Sequence, residues 1–215
     1  MAIAEIAAII LAAGRSTRFA GDQPGTTKLV AELNGKPLVR HVADAALASH
    51  ARPVIVVTGH ARELVQEVFG DLPLTFVHNK DYATGIASSI RAGIGQVPEN
   101  ASGAIVLLGD MPLVSAQMIN HLVQSFEAAA SADAIVPLTE DRRGNPVVLA
   151  RSLFPAVSRL SGDEGARRLL QEPGVQVVEL SVPGNAAAAD IDTQEALEAW
   201  RRKQAGDATS GPTTR

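Results

Sequence analysis

At 215 residues, 46% of them hydrophobic, the chain can build one sizeable α/β core and is short for two full domains. It has no cysteine, which excludes disulfides, thiolate metal sites and cysteine nucleophiles. A formal net charge of −4 argues against broad attraction to nucleic acid or anionic lipid, so any bound polyanion must meet a local cluster of cations.

Residues 3–13 are apolar and end in small side chains, as a signal-peptide core does. No Lys or Arg precedes them, however, and Glu5 interrupts the run, so a buried first strand over 6–11 is the better reading. Continuous apolar runs at 53–58 and 104–108 repeat the pattern of a strand covered on both faces, and 134–137 and 175–180 offer further strands. Helical spacing marks 38–49, 62–69, 87–95, 115–130, 164–171 and 193–203. Strands alternating with helices predict a Rossmann-like, three-layer α/β/α fold with a mostly parallel sheet, one domain over 1–203. The polar stretch 204–215 predicts a disordered tail. No apolar run approaches the ~20 residues of a membrane span, and the expectation is a soluble cytoplasmic protein.

Ligands of such sheets bind beyond the carboxyl ends of the strands, so the loops after Leu11, Thr58, Leu108 and Ile191 are where chemistry is expected. The first of these reads Leu11-Ala-Ala-Gly-Arg-Ser-Thr-Arg-Phe19, with Gly25-Thr-Thr-Lys28 following. Leu11, Ala12, Ala13 and Gly14 let backbone amides approach a ligand closely, and Arg15, Arg18 and Lys28 concentrate positive charge in an acidic chain. Ser16, Thr17, Thr26 and Thr27 add hydroxyl donors. This is the composition of a triphosphate cradle, or of an irregular loop with solvated charges. Neither the Walker A nor the G-x-G-x-x-G pattern is present.

Asp110 follows the apolar run 104–108 directly and should project from a strand end; Met111-Pro112 ends that strand and Ser115 can cap the next helix. A second carboxylate is expected from Asp190-Ile-Asp192, whose alternation would put both acids on one face of a short strand. Asp192 has a competing role, because its spacing to Glu195 is that of a capping box, so Asp190 is favoured as a metal ligand. Ser88 and Ser89 stand at a predicted helix start, where anions and base edges are readily held. Asp163 reads as a cap of the helix after it, and Arg167 reaches a cleft only if that helix points inward. The five histidines show no metal-ligand spacing.

Leu11-Ala-Ala-Gly-x-x-x-Arg-Phe with a downstream lysine resembles the signature loop of the pyrophosphorylase-like, or MobA-like, NTP transferases. Residues 84–93, Gly109-Asp-Met-Pro-Leu-Val114, Gly144-Asn-Pro-Val147, residues 160–167 and Asp190-Ile-Asp-Thr193 occur in that order and resemble the molybdenum cofactor cytidylyltransferase branch. The resemblance runs from about Ile6 to Trp200. It implies a nucleotide-diphospho-sugar transferase type of fold and transfer of CMP from CTP to the terminal phosphate of molybdopterin. It also implies Mg²⁺, with Mn²⁺ as an alternative, held by Asp110 together with Asp190 or Asp192. Arg18, Lys28 and Asp110 become the catalytic set. The backbone of residues 11–14, Arg15, Lys28 and one of Ser88 and Ser89 become nucleotide contacts, and Gly144-Asn-Pro shapes the acceptor pocket. Ala13, where guanylyl-transferring relatives usually carry glycine, favours CTP over GTP. A molybdenum hydroxylase apoenzyme is a further expected partner. Other phosphorylated acceptors (a sugar phosphate or phospholactate) and a non-catalytic carrier of the pterin are the alternatives.

Overall fold

The computed structural model describes residues 5–20, 27–129, 131–163, 165–184 and 186–209. In chain order the elements begin with β1 (Ile6–Ala12), a short α1 (Thr17–Ala20), a 3₁₀ turn (Lys28–Val30) and the hairpin β2 (Glu32–Leu33) and β3 (Lys36–Pro37). There follow α2 (Leu38–Ala48), β4 (Val54–Thr58), α3 (Arg62–Glu67), β5 (Thr75–His78), α4 (Ile86–Ile94), β6 (Gly103–Leu108) and α5 (Ala116–Ala128). The last third holds β7 (Ala134–Thr139), β8 (Arg142–Arg143), β9 (Val147–Ala150), α6 (Phe154–Val157), β10 (Val177–Ser181) and α7 (Gln194–Thr209).

Eight strands form one sheet in the order β10-β7-β9-β6-β1-β4-β5, with β8 added beside β7. Strand β1 pairs in parallel with β4 and β6, and the β4–β5 and β7–β10 pairs are parallel too. Only β8 and β9 run antiparallel to their neighbours in this sheet. Alternation along the strands sorts side chains into two cores. Ile6, Ala8, Ile10 and Ala12 face a layer made by α2, α3 and α5. Ala7, Ile9, Leu11 and Ala13 face α4, α6 and the 3₁₀ turns. Both layers are apolar, which is why β1 is buried at all seven positions and reads as an unbroken hydrophobic run.

Helix α2 buries Leu38, Val39, Val42, Ala43 and Ala46, the i, i+4, i+8 stripe of a one-sided helix, and Ser49 closes it by donating to the Ala46 carbonyl at 2.7 Å. Helix α4 approaches the sheet closely because Gly93 faces it: a Cβ there would lie 2.4 Å from Ile9 Cγ2. Ser115 caps α5 by accepting from Met118 N–H at 3.2 Å, as its position after Asp110 predicts.

Three expectations are corrected. The helix expected over 164–171 is absent among its described residues, 165–171; two single 3₁₀ turns, Gly165–Arg167 and Leu169–Gln171, replace it, and Gly165 at positive φ departs from a regular helix. Residues 190–192 are not a strand. Helix α7 continues through Thr209 where a tail was expected from 204. Extending an existing helix avoids the cost of nucleation, which offsets the low helix propensity of Gly206 and Asp207. Residues 210–215 lie outside the described residues. Among the described residues no helix is long and apolar enough to cross a membrane.

Candidate active site

The carboxyl ends of β1 and β6 and the start of α4 enclose a cavity of about 380 Å³, within the ~300–1,000 Å³ usual for small-molecule sites. Its cationic end, with Arg15 and Arg18, is built by the loop after β1. Ala13 and Gly14 leave the strand, Ser16 turns the chain at φ 53°, and α1 begins at Thr17. Ser16 Oγ meets Thr27 Oγ1 at 3.1 Å, closing the loop on itself. Among the described residues nothing lies within 4 Å of the position a Gly14 Cβ would take, which leaves that face of the loop open to a ligand on their side. Residues 21–26, which include Gly25 and Thr26, lie outside the described residues.

Lys28 is buried, and its ammonium stands between two carboxylates: 2.6 Å from Asp110 Oδ2 and hydrogen-bonded to Asp192 Oδ1. Arg18 reaches the other oxygen of Asp192 at 2.6 Å. Burial penalises the Lys28 ammonium, but the charge and hydrogen bond of Asp110 and those of Asp192 outweigh it, and the lysine pKa rises above its ordinary 10.5. Burial likewise pushes the Asp192 carboxyl up; the hydrogen bond and charge of Lys28, with the Arg18 charge, reverse this and hold it below its ordinary 3.8.

Asp192 is delivered by backbone pairing rather than by a strand. Ile191 N–H donates to the Asp110 carbonyl at 3.1 Å, and buried Ile191 packs with Leu33, Leu38 and Leu197 in a satellite core against which Phe19 and Trp200 lie. The cap of α7 is Thr193, whose Oγ1 accepts from Ala196 N–H at 3.1 Å. The capping argument therefore fails for Asp192, whose carboxylate is free for Lys28, while Asp190 is exposed and does not line the cavity. Asp192, not the expected Asp190, is the acid that stands with Asp110 beside Lys28.

The other expected contacts divide in the same way. Leu11, Ala13, Gly14, Arg15 and Arg18 line the cavity; Ala12 does not, because strand alternation turns it into the opposite core, 0% exposed. Ser89 lines the cavity and Ser88 does not. Asn79 Nδ2 donates to both hydroxyls, at 2.8 Å to Ser88 and 3.0 Å to Ser89, and Ser88 is further occupied with the Asp81 and Gly85 carbonyls. Asp163 caps no helix after it: its Oδ1 accepts from Ile86 N–H at 3.3 Å, across the start of α4, and the residue lines the cavity. Arg167 is exposed outside the cavity; Gly144-Asn-Pro also lies outside it but is half-buried to buried, with Gly144 N–H held by the Pro137 carbonyl and Asn145 N–H by that of Ala187, each at 2.9 Å.

Sequence reasoning missed Tyr82, Ala83, Ile86, Leu29 and Leu108 as cavity residues. Tyr82 alone carried a signal: it is the chain's single tyrosine, two residues before a Thr-Gly helix start. A Cβ on Gly59 would lie 2.7 Å from Tyr82 Cβ and 2.8 Å from Ala13 Cβ, so a glycine there lets the ring and the first loop meet.

With this geometry in place, comparison with known proteins decides the family: the MobA-like NTP transferase domain profile matches residues 8–178. The chain belongs to the MobA-like NTP transferase family. A curated family relative, Bifunctional protein GlmU of Francisella philomiragia, is 32% identical over 165 residues, covering 75% of this chain and 34% of that protein. GlmU of Leifsonia xyli is 32% identical over 133 residues, 61% of this chain and 27% of the relative. The chain thus spans about a third of the length of the curated relatives it matches. Among solved structures, Rv0371c of Mycobacterium tuberculosis H37Rv superposes with a TM-score of 0.81 at 25% identity, over 93% of this chain and 99% of that one. Molybdopterin-guanine dinucleotide biosynthesis protein A of Archaeoglobus fulgidus shares the fold, with a TM-score of 0.68 at 18% identity over 94% and 100% of the chains. The fold of this MobA-like chain is the nucleotide-diphospho-sugar transferase type.

Proposed function

We propose that this MobA-like chain is a divalent-metal-dependent nucleotidyltransferase that moves CMP from CTP to the terminal phosphate of a molybdopterin-type acceptor, releasing pyrophosphate. The observation that carries the transferase reading is the convergence of Lys28, Arg18, Asp110 and Asp192 at one end of the cavity. The finer substrate assignment draws on the ordered motifs, on Ala13 and on the fold shared with the Archaeoglobus molybdopterin-guanine dinucleotide protein.

Asp110 and Asp192 offer oxygen ligands only, and a cation already fits between them in the form of the lysine ammonium. That donor set suits a hard ion such as Mg²⁺ or Mn²⁺, which takes one or two carboxylates and completes its shell with phosphate oxygens. A solved structure of Rv0371c is a complex with manganese. Held there, the ion would offset negative charge on the reacting phosphate.

The chain's own residues supply the rest. Arg15 and Arg18 are exposed cations at the cavity mouth, placed to offset the β- and γ-phosphates. Gly14 allows the phosphates to approach the backbone. The acceptor phosphate is anionic and needs no general base, and no histidine lines the cavity among the described residues. An acceptor oxygen forms a bond to the α-phosphorus as the bond from that phosphorus to the bridging oxygen breaks, and pyrophosphate leaves with the electron pair. The difficulty is bringing two anions together in line, so catalysis here is positioning and charge neutralisation.

Pyrophosphate release, measured with each of the four NTPs plus Mg²⁺ and molybdenum cofactor, tests this. Release with CTP is expected, and release with another NTP or with a sugar phosphate would reassign the substrates. No release with any pair would leave the chain a carrier of the pterin rather than an enzyme.

A further inference from the structure

The α4 end of the cavity carries a group that phosphate binding does not account for. Asp110 and Asp192 are each paired with a cation, whereas Asp163 has no Lys, Arg or His within ion-pair distance among the described residues. Its one hydrogen-bond partner there is Ile86 N–H. Nor does it extend the acid pair: among the described residues no three acidic or histidine side chains converge on a metal position. Capping Ile86 does not require a charge, since serine or asparagine caps as well. A bare carboxylate in a cavity that gathers Arg15, Arg18 and Lys28 for phosphate repels a polyanion, unless that carboxylate meets N–H donors on another part of the ligand.

Its neighbours fit that requirement. Ser89 Oγ already accepts from Asn79, so its own proton is left to donate, and no acceptor takes it among the described residues. Tyr82, packed close over Gly59, adds a flat aromatic wall. One ring face, one neutral donor and one anionic acceptor are the elements that orient a heteroaromatic ring.

We propose that the end of the cavity formed by Tyr82, Ser89 and Asp163 seats a ring bearing an exocyclic amino group, and that Asp163 sets ring specificity by accepting from that amino N–H. The inference rests on the nucleotidyltransferase reading, which supplies two such rings: the cytosine of the nucleotide and the pterin of the acceptor. Uracil presents a carbonyl oxygen where cytosine has its amino group, and two acceptors would then face each other.

Calorimetric titration of wild type, Asp163→Asn and Asp163→Ser separates the sources, using CTP and UTP, each with Mg²⁺, and 6-hydroxymethylpterin as a phosphate-free probe. Both variants keep an oxygen for Ile86 N–H, and their thermal midpoints report whether that contact survives. A fall of about tenfold or more in the CTP-to-UTP affinity ratio places the nucleobase at Asp163. An unchanged ratio with pterin affinity lowered about tenfold places the acceptor ring there. If folded variants change neither, Asp163 is a cap alone and the proposal is overturned. Wild type that binds no NTP would overturn the transferase reading itself, and that result is visible before any variant is made.

Discussion

The Lys28 ammonium lies 2.6 Å from Asp110 Oδ2 and also holds Asp192, a carboxylate 164 positions further along the chain. One buried cation therefore keeps together two acids that would otherwise repel. Asp110→Asn removes one of the two charges while Lys28 retains Asp192. Pyrophosphate release is expected to fall by about two orders of magnitude, on the order of 3 kcal/mol of lost transition-state stabilisation, with little change in thermal midpoint. A variant with near-normal release would place the chemistry elsewhere.

The two acids of the Asp190-Ile-Asp192 segment should separate cleanly. Asp192→Ala is expected to lower turnover at least about tenfold and to raise the Mg²⁺ concentration needed for half-maximal rate, because it removes an oxygen donor beside Lys28. Asp190→Ala, at an exposed position outside the cavity, should stay within about twofold of wild type. Metal titrations of both variants decide the assignment.

Ser88 and Ser89 make a second contrast. Ser88→Ala leaves Asn79 and Ser89 in place and should cost about 1 kcal/mol of stability in urea unfolding, with KM for the nucleotide unchanged. Ser89→Ala removes a hydroxyl that lines the cavity and should raise that KM by about tenfold. Equal effects on KM would mean that neither hydroxyl meets the ligand.

Leu197 is 4% exposed and packs with Ile191, the residue before Asp192. Leu197→Ala opens a cavity in the satellite core, at a cost of about 2–4 kcal/mol in denaturant unfolding. The loosened Ile191 should also weaken metal binding, although Leu197 touches no ligand. Unchanged metal affinity in the folded variant would show that Asp192 is held by its ion pairs alone.

Burial raises the Asp44 carboxyl, but hydrogen bonds and charge from Lys36 and Arg40 hold it below its ordinary 3.8. A carboxyl lowered in the folded state stabilises above its ordinary value, and the contribution fades as pH falls through the folded value. The pair is about a third exposed, so the contribution is at most about 1 kcal/mol. The stability difference between wild type and Asp44→Asn should be present at neutral pH and absent near pH 2. A difference that persists in acid would contradict the ion-pair origin.

The layered fold was legible because β1, β4 and β6 are buried on both faces and announce themselves as apolar runs. Strand β5, half exposed at the sheet edge, carries no such run, and the buried apolar run of β9 is only four residues long and gives no sign that the strand is antiparallel. Asp110 could be read from its place after a buried strand. Asp192 could not be preferred to Asp190, because the decision rests on a backbone bond from Ile191 to Asp110 and on Thr193 taking the capping role. The pairing of Asp163 with Ile86 depends on a contact 77 positions apart that no local pattern reports.

The bond from Ile191 to Asp110 has a consequence for biosynthesis. The ribosome completes the first loop and β6 long before it reaches Ile191, so a nascent chain can form the central sheet while the second acid is still missing. Under the proposed function, competence for metal-assisted chemistry thus arrives only when the stretch around Ile191 docks, and a polypeptide made only through β6 has no means of consuming nucleotide.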